Sequence, residues 1–302
     1  MSFLDPAFCH FPYVYINYEV RAPAAARSSP EFLAALDALI ARIRRTHVGS
    51  TLYECLRQRV IITPHENQWV DFPRTRFEDA PAFVRPWNAR DARPRGEPAR
   101  YDRDDPNTPR VERGGDPLRD GIDGTGRGAW SLLYWDVAGC RRHAAREDVI
   151  LVHEFAHALR IGYGAESRRS VGPTPGPAWS YPNVEEFLAM TIMNMYCAEV
   201  GYPMVLGHSP GHTWDARARS GRPELYGLRS GRRLPPNPAR EAYFRTVREF
   251  ERRNMRQFYF RTPALRPVFL RFSAISPRRL SYNPFRTFLN GRGAVLVPPG
   301  RY

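Results

Sequence analysis

The run Val149-Ile150-Leu151-Val152-His153-Glu154-Phe155-Ala156-His157-Ala158-Leu159 sets three ionisable side chains inside an otherwise apolar stretch. Its length, and the stop signals Gly162 and Gly164 behind it, predict a buried helix. Carrying His153, Glu154 and His157 into such a helix is costly unless the three groups find a partner. Helix geometry offers one. Residues four apart lie one above the other, so His153 and His157 can aim two imidazole nitrogens at a single cation at roughly 2.0–2.1 Å. Glu154 falls about 100° round the helix, beside that cation, where it can take a proton from an attacking water. The pattern His-Glu-x-x-His is therefore read as two zinc ligands and a general base, the arrangement of a zinc-dependent peptidase. The competing reading is a structural helix with two satisfied core histidines.

A catalytic zinc needs a third protein ligand and an open fourth position. The extension that supplies a third histidine requires Gly and His where this chain has Arg160 and Tyr163, so it is excluded. A downstream carboxylate is the remaining common choice. Asn183-Val184-Glu185-Glu186-Phe187 opens a second predicted helix, with Asn183 as N-cap and an apolar body running through Ile192, Met193 and Tyr196. Neighbouring residues stand about 100° apart on a helix, so in general only one of Glu185 and Glu186 can coordinate. Glu186 is the preferred ligand. Glu185 takes its place if Asn183-x-x-Glu186 is a capping box, in which the Glu186 carboxylate returns a hydrogen bond to the backbone.

Other elements frame these two helices. Ser29-Pro30-Glu31 is a helix start, after which Phe32, Leu33, Leu36, Leu39, Ile40 and Ile43 mark one apolar face. Val60-Ile61-Ile62 reads as a short strand, and Phe11 to Val20 as a further one. Residues 73–128 are rich in Arg, Asp, Pro and Gly and read as an insertion with little regular structure; Asp116, Asp120 and Asp123 match no calcium-loop spacing. His208 and His212 sit among Pro and Gly in a predicted loop. Residues 238–259 predict a long arginine-rich amphipathic helix with Tyr243, Val247, Phe250 and Met255 toward the core. The expected organisation is an N-terminal segment 1–28, one α+β domain over 29–260 with a small sheet and the 73–128 insertion, and a wrapping tail over 261–302.

Over residues 30–200 the order of these elements resembles that of the NleD-type zinc metallopeptidase effectors of bacterial pathogens, and more distantly the clostridial neurotoxin light chains. The likeness runs through the upstream helix, the Val60 strand, the Gly-rich turn Gly124–Gly128 entering a strand that ends at Trp135, the His153–Leu159 helix and the Glu185-Glu186 pair. The last two segments are its specific part. It implies a zincin-like fold, zinc as cofactor, Glu186 as third ligand, and a secreted effector or toxin that cleaves a target-cell protein. The known substrates of that family are activation loops of stress-activated MAP kinases. In the light chains an Arg-x-x-Tyr pair serves the oxyanion, and Arg256-x-x-Tyr259 has the same spacing, against plain packing of the tyrosine. The reading from another class is a catalytically inactive binding module that holds a protein partner on its basic surface.

Composition adds limits. The formal net charge is +14, and all 45 basic residues are arginine. Either a GC-rich genome or selection against ubiquitin-acceptor lysines, in a protein acting inside a eukaryotic cytosol, accounts for that. No nucleic-acid-binding motif accompanies the charge, so a protein substrate is the expected partner. No run of 18 apolar residues predicts a membrane span, and Met1–Pro6 lacks the features of a secretory signal. Export, if it occurs, is expected by a route without a cleaved signal; otherwise the chain is cytoplasmic. The cysteines Cys9, Cys55, Cys140 and Cys197 lack paired spacing and are expected to be reduced.

Overall fold

In the computed structural model, the described residues are 14–16, 30–64, 82–97, 123–135, 146–167, 169, 171, 181, 183–202, 238–280 and 282–290. They are mixed α and β, richer in helix. The chain divides into two compact units, residues 1–43 with 52–167, and residues 44–51 with 168–302. The division falls inside the 29–260 span expected as one domain.

The first unit is built on a four-stranded sheet in the order β1-β2-β4-β3, where β1 is Val14–Ile16, β2 Val60–Pro64, β3 Ala82–Pro86 and β4 Ser131–Trp135. Strands β1, β2 and β4 are parallel, and β3 runs antiparallel at the edge, with Val84 opposite Leu133. β-branched and aromatic residues suit these strands, and Pro64 and Pro86 sit at strand ends, where a missing N–H donor costs least. One sheet face buries Val60, Ile62, Leu133 and Trp135. Strand β3 and the short helix α3 (Ala89–Ala92) lie within the 73–128 stretch expected to have little regular structure. Edge strands are short and carry proline and arginine, so periodicity in five residues is a weak signal. Helix α1 (Pro30–Arg44) buries Leu36, Leu39, Ile40 and Ile43 at helical spacing, as its sequence predicts. Helix α4 (Glu147–Gly162) packs against β3 and β4.

The second unit is helical. It contains the start of α2 (His47–Glu54), α5 (Val184–Val200), α6 (Pro238–Arg261), a 3₁₀ turn at Pro263–Leu265, α7 (Arg266–Ala274) and α8 (Pro284–Asn290). The Glu199 carboxylate accepts from the backbone N–H groups of His47 and Val48 at 2.6 and 2.8 Å and so caps α2 from a distant part of the chain. Phe187 on α5 packs against Phe250 and Phe258 on α6, with ring centroids 5.8 and 5.6 Å apart. Phe285 on α8 stacks on Phe272 of α7 at 5.1 Å. Within the stretch expected as a wrapping tail, residues 263–290 are thus largely helical. Leu265, Phe269, Phe272, Leu280, Phe285 and Phe288 are buried, and short helices bounded by proline read poorly from periodicity alone. Tyr243, Val247, Asp116, Asp120, His208 and His212 lie outside the residues, or the side chains, that the structure describes.

Candidate metal centre

Helix α4 is enclosed on nearly every side: each of its residues except Glu147 and His157 is buried. Arg146, at its N-cap, supplies no side-chain cap. The acidic first turn serves instead. Asp148 is buried, accepts from the Val149 N–H at 3.1 Å and lies 3.6 Å from the Arg42 guanidinium of α1, a favourable charge at the positive end of the helix dipole.

The other end is held by glycines. Gly164 adopts φ +62°, and the Gly164 N–H closes onto Ile161 O at 3.0 Å, while Arg160 reaches past the turn to donate to Ala165 O. The Gly124–Gly128 turn lies directly against this terminus: Ala129 N–H donates to Ile161 O at 3.1 Å. A Cβ added at Gly128 would stand 2.1 Å from Gly162 O, and one at Gly164 would stand 2.4 Å from the Gly126 carbonyl carbon. Only hydrogen fits at these positions. The sequence showed both glycine sets. That they meet, and meet at the end of this helix, is a tertiary fact that neither set announces.

Between these anchors the ionisable groups are brought together. His153 and Glu154 are buried at 3% and 7% exposure, and His157 is half-buried. The two Nε2 atoms stand 3.0 Å apart, and the rings are inclined at 75°. Two nitrogens bound to one tetrahedral zinc at about 2.05 Å are about 3.3 Å apart, close to the observed spacing.

Helix α5 starts as its sequence predicts. The Asn183 side chain accepts from the Glu186 N–H at 3.0 Å, and Gly201 ends the helix in the left-handed conformation at φ +75°. Val184, Glu185 and all of Phe187–Cys197 are buried, so carboxylates enter a helix that is apolar all round. Among the described residues, one ligand atom each from His153, His157 and Glu186 lie within 4.8 Å of one another, a group that could hold a metal ion. Two imidazoles and a carboxylate are a donor set suited to zinc. Glu185, buried at 5% exposure, is not in the group. Glu186 thus takes part in capping through its backbone N–H, which leaves its carboxylate for the group with the two histidines.

Tyr259 is half-buried among Phe260, Phe269 and Phe288, with the Arg266 guanidinium over its ring at 5.3 Å, and Arg256 is exposed. This is aromatic packing of the tyrosine ring. Cys55 and Cys197 are buried thiols. No family model, no curated protein and no solved structure matches the chain.

Proposed function

We propose that the chain is a zinc-dependent endopeptidase of zincin type, resembling the NleD-type effectors, which acts on a protein of a target cell. The observation that carries this reading is the group of His153, His157 and Glu186, whose two histidines share with Glu154 a buried helix braced at both ends. His153, His157 and Glu186 would hold the metal. Bound zinc supplies Lewis-acid chemistry, polarising the scissile carbonyl and making a water more acidic. Glu154 accepts the proton from the attacking water and returns it to the leaving amine nitrogen, so no net proton remains on the protein. Burial of Glu154 keeps that proton transfer away from bulk solvent and sharpens the electrostatic contrast between its charged and neutral forms. Asp148 with Arg42, and the glycine contacts at Gly162 and Gly164, do not touch substrate; they fix the helix that presents the other groups.

The test is a comparison of new protein N-termini in cells expressing the wild type and in cells expressing Glu154→Gln. The proposal expects termini present only with the wild type, and their sequences name the substrate. Identical sets would favour the inactive binding module.

A further inference from the structure

From Glu249 onward α6 is sharply two-sided. Phe250, Glu251, Asn254, Met255 and Phe258 are buried, whereas Glu249, Arg252, Arg253, Arg256, Gln257 and Phe260 are exposed. Those exposed positions recur three and four residues apart and form one stripe, which Arg261 continues at the helix end. On α7 the exposed residues Pro267, Leu270, Arg271 and Ala274 repeat the spacing, and Arg278 and Arg279 are exposed in the turn beyond. Between residues 249 and 279 seven arginines are exposed and one carboxylate, Glu249. Arg252 donates to that carboxylate at 2.8 and 3.1 Å, and this bond holds the Glu249 carboxyl below its ordinary range. Two large apolar side chains protrude among the guanidiniums: Phe260 is 43% and Leu270 52% exposed.

We propose that this arginine-rich face of α6 and α7 docks on the surface of an anionic phospholipid bilayer, with Phe260 and Leu270 entering the boundary between headgroups and acyl chains. The charge argues for a polyanionic partner, since the negative potential of an acidic leaflet attracts every arginine held within about 10 Å of it. Guanidinium forks also match lipid phosphates two bonds at a time. The apolar residues argue for a bilayer over a nucleic acid: a phosphate backbone rewards the arginines but leaves Leu270 in water. A protein interface, for its part, concentrates apolar surface and depletes charge at its centre, and here the apolar side chains are separated and charge dominates. Among the described residues no helix is long and apolar enough to cross a membrane, so the attachment is peripheral, by charge and shallow insertion. The inference is independent of the zinc reading, because none of these residues belongs to the metal group.

The experiment is sedimentation of the whole chain with vesicles of phosphatidylcholine, alone or containing about 30% phosphatidylserine. Binding to the anionic vesicles should be at least about tenfold tighter and should weaken as salt is raised. The triple variant Arg252→Gln, Arg253→Gln, Arg256→Gln should lose about tenfold or more, and Phe260→Ser with Leu270→Ser several-fold. Arg278→Gln with Arg279→Gln, in an exposed turn, should also weaken binding, which separates loss of charge from misfolding of α6. Glu154→Gln should bind as the wild type does, so failure of the peptidase reading leaves this result standing. Equal binding to neutral and anionic vesicles, or undiminished binding by the triple variant, would overturn the proposal. So would a preference for duplex DNA, single-stranded RNA or polyglutamate over the vesicles that disappears in the same variants.

Discussion

Helices α4 and α6 place their ionisable groups in opposite ways. In α4 they are buried: His153, Glu154, Asp148 and Arg160 are all at 7% exposure or less, and Asp148 and Arg160 each have a dedicated partner in Arg42 and Ala165 O. Over Glu249–Arg261 of α6 the arginines are exposed, and the buried Glu251 and Asn254 are bonded to Tyr282 and to Phe250 O. Sequence charge alone does not separate the two cases. The apolar surroundings do. A charge among Val, Ile and Leu must be matched by geometry and so marks a specific chemistry, whereas a charge repeated along one stripe acts by its sum. Loss of one group should then be severe in α4 and mild in α6.

The largest expected effect is on Glu154. Glu154→Gln keeps shape and hydrogen bonding but cannot accept a proton, so cleavage of the substrate named by its N-termini should slow at least about 100-fold. Undiminished turnover would remove the difference between buried and exposed charge on which the comparison rests. Glu185 comes next. It is buried near the metal group without belonging to it, and Glu185→Ala should lower activity about 10–100-fold while zinc is retained.

Stability sharpens the same contrast. Gly164 and Gly201 both have positive φ, but a Cβ at Gly164 meets backbone at 2.4 Å and a Cβ at Gly201 meets nothing within 4 Å. Gly201→Ala should cost about 1 kcal/mol from backbone conformation alone. Gly164→Ala should cost about 3 kcal/mol or more, because the glycine turn beneath α4 must shift. Urea unfolding of the two variants decides; equal costs would show that the packing against Gly126 is not tight.

The smallest effect belongs to α6. The Glu249 carboxyl is depressed by its bond to Arg252, so its contribution to stability is present above the ordinary carboxylate range and is lost as pH falls through the depressed value. Both partners are mostly exposed, at 62% and 51%, so Glu249→Gln should change stability at pH 7 by less than about 0.5 kcal/mol. Below that depressed value the variant and the wild type should converge. A larger difference at pH 7 would mean that this face is not simply solvated.

Legibility in the sequence followed the reach of the interactions. The His153–His157 pair, the cap at Asn183 and the face of α1 depend on residues within one or two turns, and each was readable from spacing. Strand β3 and the helices of 263–290 are short and interrupted by proline, and what holds them is pairing with β4 or packing of Phe269, Phe272 and Phe285. Glu186 was preferred over Glu185 in the sequence, but spacing alone left both open. One rotation of about 100° separates them, and the Asn183 cap uses the Glu186 backbone whichever carboxylate binds.

Zinc content tests the central claim most directly. After purification with zinc and dialysis, the wild type and Glu154→Gln should each retain about one zinc per chain, and Glu186→Ala should retain far less. A wild type that keeps no zinc would contradict the account, as would a Glu186→Ala protein loaded as fully as the wild type.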